Sequence, residues 1–236
     1  MSDNKASDVQ FYVIQNGSYI SKEARELRAK IYDIWNPLWT DIYKEHGSST
    51  LPSLAGFRSF EVLHCITVDG EVAGFSAHRF MDFRDALSKH LEYLQIVGEE
   101  NLYKLHEMGI QKIMTFEALM IPPTQRKSIS PIPISKLLFY LANRSFSLSP
   151  ADGMVGAARV EVKVPLLSQA LGYDLLESAR VMRGIPCDVV VQRNREVFHP
   201  QEKAWHLSQE LWEKRVLFRS EDPFTVARTE QTKKAA

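Results

Sequence analysis

The chain has 236 residues, 44% of them hydrophobic and 25% charged, a composition that supports one good apolar core and excludes a disordered or fibrous chain. The 29 Lys and Arg equal the 29 Asp and Glu, so no overall field draws the molecule to nucleic acid or to an anionic membrane. Cys65 and Cys187 each lie in an apolar run, where a buried reduced thiol is expected, and no Cys/His spacing suggests a metal.

Residues 1–9 are polar and lack the apolar centre of a secretion signal, so a flexible start and a cytoplasmic protein are expected. No apolar stretch approaches the ~20 residues of a membrane span. Phe11-Tyr12-Val13-Ile14 reads as a short strand closed by the turn signal Asn16-Gly17-Ser18. Ser21 is placed to cap a helix that carries Leu27, Ile31, Ile34 and Trp35 at spacings of three and four. Pro37 is expected to interrupt that helix, with Leu38, Ile42 and Tyr43 on a second piece. Residues 46–56 are rich in Gly, Ser and Pro and read as a loop. Phe60 to Val68 and Val72 to Phe80 flank Asp69-Gly70, a preferred two-residue hairpin turn. Over 84–109 the period changes: Leu87, Leu91, Leu94, Leu102, Leu105 and Met108 predict one or two amphipathic helices, broken near Gly98.

Ile113 to Ile121 is a strongly apolar strand stopped by Pro122-Pro123. A proline-rich loop with Arg126-Lys127 follows over 122–134, and Ser135 is a plausible cap for a helix carrying Leu137, Leu138, Leu141 and Phe146. Met154 to Val162 reads as a strand and Pro165 to Leu171 as a short helix closed by Gly172. Strands are expected at 173–181 and 187–193, turning near Arg183-Gly184. Trp205, Leu207, Leu211 and Trp212 predict a helix over 200–217, docked on the domain. The tail 218–236 is polar and expected to be disordered. A hairpin followed by alternating strands and helices predicts a mixed sheet with helices on both faces.

This order resembles the GNAT N-acetyltransferase superfamily over roughly residues 10–195. The likeness rests on the strand Ile113-Met114-Thr115-Phe116-Glu117-Ala118-Leu119-Met120-Ile121, the loop Pro122-Pro123-Thr124-Gln125-Arg126-Lys127-Ser128-Ile129-Ser130 and the helix opening Ile134-Ser135-Lys136-Leu137-Leu138. Leu167-Ser168-Gln169-Ala170-Leu171-Gly172-Tyr173 resembles the segment that closes the last short helix. The likeness implies an α/β fold, a GNAT-like mixed central sheet of about seven strands with helices on both faces. It implies one acyltransferase domain over 10–217, with 84–109 as a helical insertion.

The family's loop reads Arg/Gln-x-x-Gly-x-Gly/Ala, and its amides bind the pyrophosphate of coenzyme A. Here Gln125, Arg126, Lys127, Ser128, Ile129 and Ser130 occupy it, with serines in place of glycines and Pro131 to Ile134 added before the helix. A helix start attracts phosphate independently of any family. A weaker likeness, to autoinducer synthases and long-chain N-acyl amino acid synthases, rests on Glu117 and the insertion. Those families follow the Glu with Ser-Arg, where Leu119-Met120 stands here.

Aminolysis of a thioester needs a base for the amine's proton and a donor for the oxyanion. Glu117, a lone acid in an apolar strand, is the first choice for base if desolvation raises its pKa toward neutrality. The alternative reading places Glu117 on the strand's solvated polar side, with Thr115 as its neighbour at i−2. The family's strand bulge implies that the Leu119 and Met120 amides polarise the carbonyl. The family's thiolate-protonating Tyr falls near Ser168, so the thiolate leaves unaided or Tyr173 serves. Arg159, Glu161 and Lys163 read as an ion-pair ladder on one strand face. His64 and His78 flank the hairpin turn, as packed residues or substrate contacts. Trp35 and Trp39 form core or line an acyl tunnel. The resulting expectation is an N-acyltransferase with acyl-CoA or acyl-phosphopantetheine on an acyl carrier protein as donor, a small-molecule amine as acceptor and no metal. The rivals are a long-chain N-acyl amino acid synthase drawing on acyl carrier protein and a non-catalytic GNAT-like acyl-CoA-binding module.

Overall fold

The structure, a computed structural model, describes residues 8–16, 21–85, 88, 91–129, 131–193 and 201–219. It opens with strand β1 (Val9–Gln15), helix α1 (Lys22–Glu45) and the short helix α2 (Leu54–Arg58). Strands β2 (Val62–Val68), β3 (Glu71–His78) and β4 (Phe80–Asp82) follow, then helices α3 (Glu92–Val97) and α4 (Glu99–Glu107). The second half runs β5 (Lys112–Met120), α5 (Ile134–Ser147), β6 (Gly153–Arg159), α6 (Val164–Ala170), β7 (Asp174–Met182), β8 (Ile185–Arg193), α7 (Lys203–Glu213) and β9 (Val216–Phe218). The sheet holds nine strands in the order β7-β8-β6-β5-β3-β2-β1-β9, with β4 also paired to β5. The β1–β9 and β5–β6 pairs are parallel and the others antiparallel.

Alternation along the strands feeds a core on each side of the sheet. One side packs α5 and α7 on Phe11, Ile66, Ala73, Met114, Phe116 and Val190. Leu137, Leu138, Phe139, Leu141 and Phe146 of α5 are each at most 2% exposed, and burial of each contributes roughly 1.5–3 kcal/mol. The helix comes that close because β3 carries Gly74 beneath it: a Cβ there would lie 2.7 Å from Ile134 Cγ2 and 3.1 Å from the Met120 carbonyl oxygen. The other side packs α1 and α2 on Leu63, Cys65 and Phe75. It continues under α3 and α4 with Ile113, Val155, Val189 and Val191.

The hairpin turn forms at Asp69 and Gly70, with φ of 51° and 82°, as the sequence predicts. Ser21 caps α1, accepting from the Ala24 amide at 3.2 Å, and Gly98 parts α3 from α4. Several expectations are corrected. Helix α1 runs through Pro37; the hydrogen bond Pro37 forfeits would have gone to the Asp33 carbonyl, and both residues face solvent, where water satisfies that group. The loop 46–56 holds the start of α2, capped by Ser53 onto the Gly56 amide at 3.0 Å. The cap of α5 is Pro133, not Ser135, and its carbonyl accepts from the Lys136 and Leu137 amides. Val9 already belongs to β1.

At the other end, helix α7 stops at Glu213 and residues 216–218 form β9, where a continuing helix and the start of a tail were expected. Three residues are too few to show a period, and the pairing of Val216–Phe218 with Tyr12–Ile14 is a long-range fact. Strand β6 ends at Arg159, so Glu161 sits in the following turn and not on a strand ladder. Nine strands stand against an expected seven, the surplus being β4 and β9. The expected Leu87 position and most of the tail lie outside the described residues. Among the described residues no helix is long and apolar enough to cross a membrane.

Candidate active site

Strand β5 pairs in parallel with β6 only from Ile113↔Gly153 to Phe116↔Gly156. Beyond that, β6 continues along β8 through Ala157, Ala158 and Arg159, and β5 continues along β3, so the two strands part. At the same point β5 bulges. Ala77 pairs with Glu117 and Phe75 with Met120, two steps on one strand against three on the other. Ala118 takes up the extra residue with φ of 49°, an uncommon conformation for a side-chain-bearing residue. The face alternation breaks there: Phe116 packs on the α5 side, Ala118 and Met120 on the α1 side, and Leu119 on the α5 side. Of the two expected carbonyl-polarising residues, Leu119 lies inside the bulge and Met120 is back in register.

Two cavities meet at this parting. The larger, about 240 Å³, lies on the α1 side between Trp35, Trp39 and Tyr43 of α1, the 50–56 segment, α3 and the β7–β8 turn. The smaller, about 90 Å³, lies between β5 and β6 beside Phe139 of α5 and Ser168 of α6. Both touch Trp39, Phe116, Ala118, Ala157 and Arg159.

Glu117 opens onto the larger cavity with its side chain 11% exposed. It accepts two hydrogen bonds from Arg79: Nε donates to Oε1 at 2.9 Å and a terminal nitrogen donates to Oε2. Thr115 Oγ1 also donates to Oε1 at 2.6 Å and in turn accepts from the Arg79 amide at 2.8 Å. Burial opposes the Arg79 charge, and Glu117 outweighs it, so the guanidinium is held above its ordinary pKa. Arg79 also lies 5.4 Å from the Phe60 ring and 5.7 Å from the Tyr93 ring. Glu117 is therefore neither an isolated desolvated acid nor a solvated strand residue; it is one arm of an ion pair held on a cavity wall.

The same wall carries two more arginines, which the sequence gave no reason to place together. Arg159 sits 5.7 Å from the Trp39 ring and pairs with Glu161, which also lies 3.2 Å from His46 Nε2. Arg183 sits 5.4 Å from the Tyr43 ring, donates to the Tyr43 hydroxyl at 3.0 Å and pairs with Glu92. The β7–β8 turn that presents Arg183 is pinned to the end of α1: at Gly184, with φ of 83°, a Cβ would fall 2.3 Å from the His46 carbonyl oxygen. Trp35 and Trp39 thus line a cavity as well as packing in core. Cys187 also lines it, but burial pushes its thiol up to about 11, so it is not a thiolate nucleophile at neutral pH. Burial likewise raises the Tyr43 and Tyr93 phenols, which makes them poor bases.

The remaining expected residues fall as follows. Tyr173 is buried in the α5-side core, donates to Asn143 Oδ1 at 3.0 Å and lines neither cavity, so it is not placed to protonate a departing thiolate. Ser168 lines the smaller cavity, with its hydroxyl donating to the Pro165 carbonyl at 2.8 Å. His64 and His78 are fully buried and packed: His78 Nδ1 is 2.8 Å from the Thr115 carbonyl, and its Nε2 is 3.1 Å from His64 Nδ1. In the loop after β5, the Gln125 amide donates to Pro122 and the Ser128 amide to Gln125, so these two amides are used within the loop. Arg126 and Lys127 are exposed, Ile129 is half-buried and Ser130 lies outside the described residues. Among the described residues no group of three His, Cys, Asp or Glu side chains could hold a metal ion.

No family model matches the chain, and no curated protein matches it. Solved structures do. The chain superposes on arylalkylamine N-acetyltransferase 2 from Aedes aegypti with a TM-score of 0.57 and 12% identity, covering 80% of this chain and 100% of that one. It superposes on FeeM, an N-acyl amino acid synthase from uncultured soil microbes, with a TM-score of 0.54 and 10% identity, over 81% and 95% of the two chains. For the AHL synthase LasI the TM-score is 0.52 at 11% identity, over 89% and 98%. These likenesses establish a GNAT-like fold, the architecture shared by the acetyltransferase and both synthases.

Proposed function

We propose that the chain is an N-acyltransferase that moves an acyl group from an acyl-pantetheine thioester to an amine by direct aminolysis. The observation that carries this reading is the bulge at Ala118, set where β5 and β6 part and where the two cavities meet. A thioester reaching that point through the smaller cavity presents its carbonyl to the bulge, and an amine in the larger cavity presents its nitrogen beside Glu117. The amine nitrogen attacks the carbonyl carbon. The Leu119 amide, with Met120 next in line, donates to the oxyanion. Glu117 takes the amine's proton on a lone pair not used by Arg79 or Thr115. The C–N bond forms, the C–S bond breaks, and the thiolate leaves unaided and takes a proton from water; the products are an amide and a free thiol.

Gln125 to Ser130 form the loop for the donor's phosphates. Because the Gln125 and Ser128 amides are turned into the loop, its contribution is the charge of Arg126 and Lys127 in front of α5. The donor is acyl-CoA or an acyl carrier protein. A long-chain N-acyl amino acid synthase using carrier protein is the second reading. It is supported by the insertion, whose helix α3 lines the larger cavity, and by the likeness to FeeM. Incubation with palmitoyl-CoA or palmitoyl carrier protein and a mixture of amines, read by mass spectrometry, tests both. Amide from either donor supports acyl transfer, and amide from carrier protein alone selects the second reading. Thioester binding with no amide from either donor replaces both with a non-catalytic binding module.

A further inference from the structure

The larger cavity contains a chemical imbalance. Three of its lining residues carry a buried N–H group with no acceptor: Trp39 Nε1, Arg159 Nε and Arg183 Nε. Buried donors left without acceptors are rare, because each forfeits its hydration with nothing in return. Here they occur together on one wall, and all three are donors. The residues form a continuous stack: Arg159 over Trp39, Trp39 edge-on to Tyr43 at 5.5 Å, and Arg183 over Tyr43. The carboxylates that engage the two guanidiniums by their terminal nitrogens, Glu161 and Glu92, have side chains 39% and 60% exposed, and Glu161 does not line the cavity. Burial works against the Arg159 charge and outweighs its anionic neighbours, whereas the burial of Arg183 is outweighed by Tyr43 and Glu92. Arg79, the third lining arginine, gives Nε and one terminal nitrogen to Glu117, and its other terminal nitrogen donates to Ser59 Oγ at 3.4 Å. The deep donors thus await oxygen acceptors that no described side chain supplies.

We infer that the acceptor amine carries an anionic oxygen group, seated against Arg159, Arg183 and Trp39. Planar guanidinium groups with a neighbouring indole N–H suit a carboxylate, so the substrate class is an amino acid or a close relative. Apolar Phe60, Tyr93, Ile96 and Met182 line the same cavity and suit an apolar side chain. This inference rests on the acyltransferase reading for its word "acceptor", and the site itself does not need it.

The test is equilibrium binding to the full chain, by calorimetry without any donor, of three molecules that differ in one group: phenethylamine, L-phenylalanine and its aminophosphonate analogue. An anionic member should bind at least tenfold tighter than phenethylamine, and the preferred anion tells carboxylate from phosphate. Arg159→Gln or Arg183→Gln should remove most of that difference while phenethylamine binding is retained. Trp39→Phe, which keeps the ring and deletes only the N–H, should weaken phenylalanine binding several-fold and guards against a misfolded arginine variant. Equal binding of all three, or anion preference unchanged in every variant, overturns the inference. Turnover of the same three with an acyl-CoA separates the two claims. Product at equal kcat/KM with and without the anion sinks the inference and leaves acyl transfer. Arginine-dependent phenylalanine binding with no product from any donor sinks acyl transfer and leaves the anion site.

Discussion

His78 and Arg79 are neighbours in the chain but belong to polar clusters on opposite faces of the sheet. His78 turns to the α5 side, stacks on Phe116 at 5.4 Å and shares its ring nitrogens with the Thr115 carbonyl, Ser76 and His64. Because the Thr115 oxygen can only accept, His78 Nδ1 carries the proton and Nε2 accepts. His64 then donates from Nδ1, and its unpartnered Nε2 is a bare lone pair that lines neither cavity. Arg79 turns to the α1 side, into a cavity whose other arginines keep unanswered donors. The first cluster, apart from the His64 lone pair, uses its polar groups within itself and borders neither cavity, so it serves the fold. The second is left open by the same sheet, and an open set of donors beside a bulged strand has a use only when something binds.

The largest effect that would sharpen this contrast is on turnover. Glu117→Gln keeps a hydrogen-bonding group beside Arg79 but removes the base, and kcat should fall about 10²–10⁴-fold at neutral pH while donor binding persists. An unaltered rate takes the base role away from Glu117.

The closed cluster should answer to pH instead. Burial, opposed only by the Thr115 hydrogen bond, lowers His78 to about 4, and burial with the neighbouring His78 holds His64 well below its ordinary value. The unfolded chain therefore binds more protons once pH falls below about 6.5. The stability from keeping these rings neutral is full above that value and drains as pH drops toward 4, by roughly 3 kcal/mol for His78 alone. Urea midpoints across that range should slope in the natural protein and flatten in a His64→Gln/His78→Gln variant. Parallel slopes would mean the histidines do not govern acid stability.

A smaller effect tests the mounting of the cavity. Gly184→Ala places a Cβ against the His46 carbonyl at a positive φ and should cost about 1–3 kcal/mol, read as a lower thermal midpoint. No loss would mean that the turn does not bear on α1. The smallest concerns the donor loop. Because Arg126 and Lys127 are exposed, replacing both with Ala should weaken coenzyme A by about 1.5 kcal/mol, the low end for hydrogen bonds to charged groups. Unchanged affinity by calorimetry removes that loop from the donor site.

Much of the frame was legible in the sequence. Asp69-Gly70 announces the hairpin, Pro122-Pro123 ends the central strand, and Gly98 splits the inserted helices, because turn chemistry and breakers act locally. Glu117 stood out for the same reason, as one acid in an apolar run. Its partner did not: Arg79 is 38 positions away, and nothing in either segment encodes the pairing. Arg159 reads as a member of an ion-pair ladder and Arg183 as a turn residue, and only the convergence of β6, α1 and the β7–β8 turn makes them neighbours. Pro37 misled because a proline on a helix's wet face forfeits a bond that water replaces. The bulge at Ala118 has no sequence signature, since Ala is an unusual residue for a positive φ.

The account depends most on donor and acceptor meeting at that bulge. A crystal structure with a non-reactive thioether analogue of an acyl-pantetheine tests it directly. The prediction is density running between β5 and β6, with the acyl carbonyl oxygen within hydrogen-bonding distance of the Leu119 or Met120 amide and its carbon facing Glu117. Density that avoids the parted strands, or a carbonyl that reaches neither amide, would contradict it.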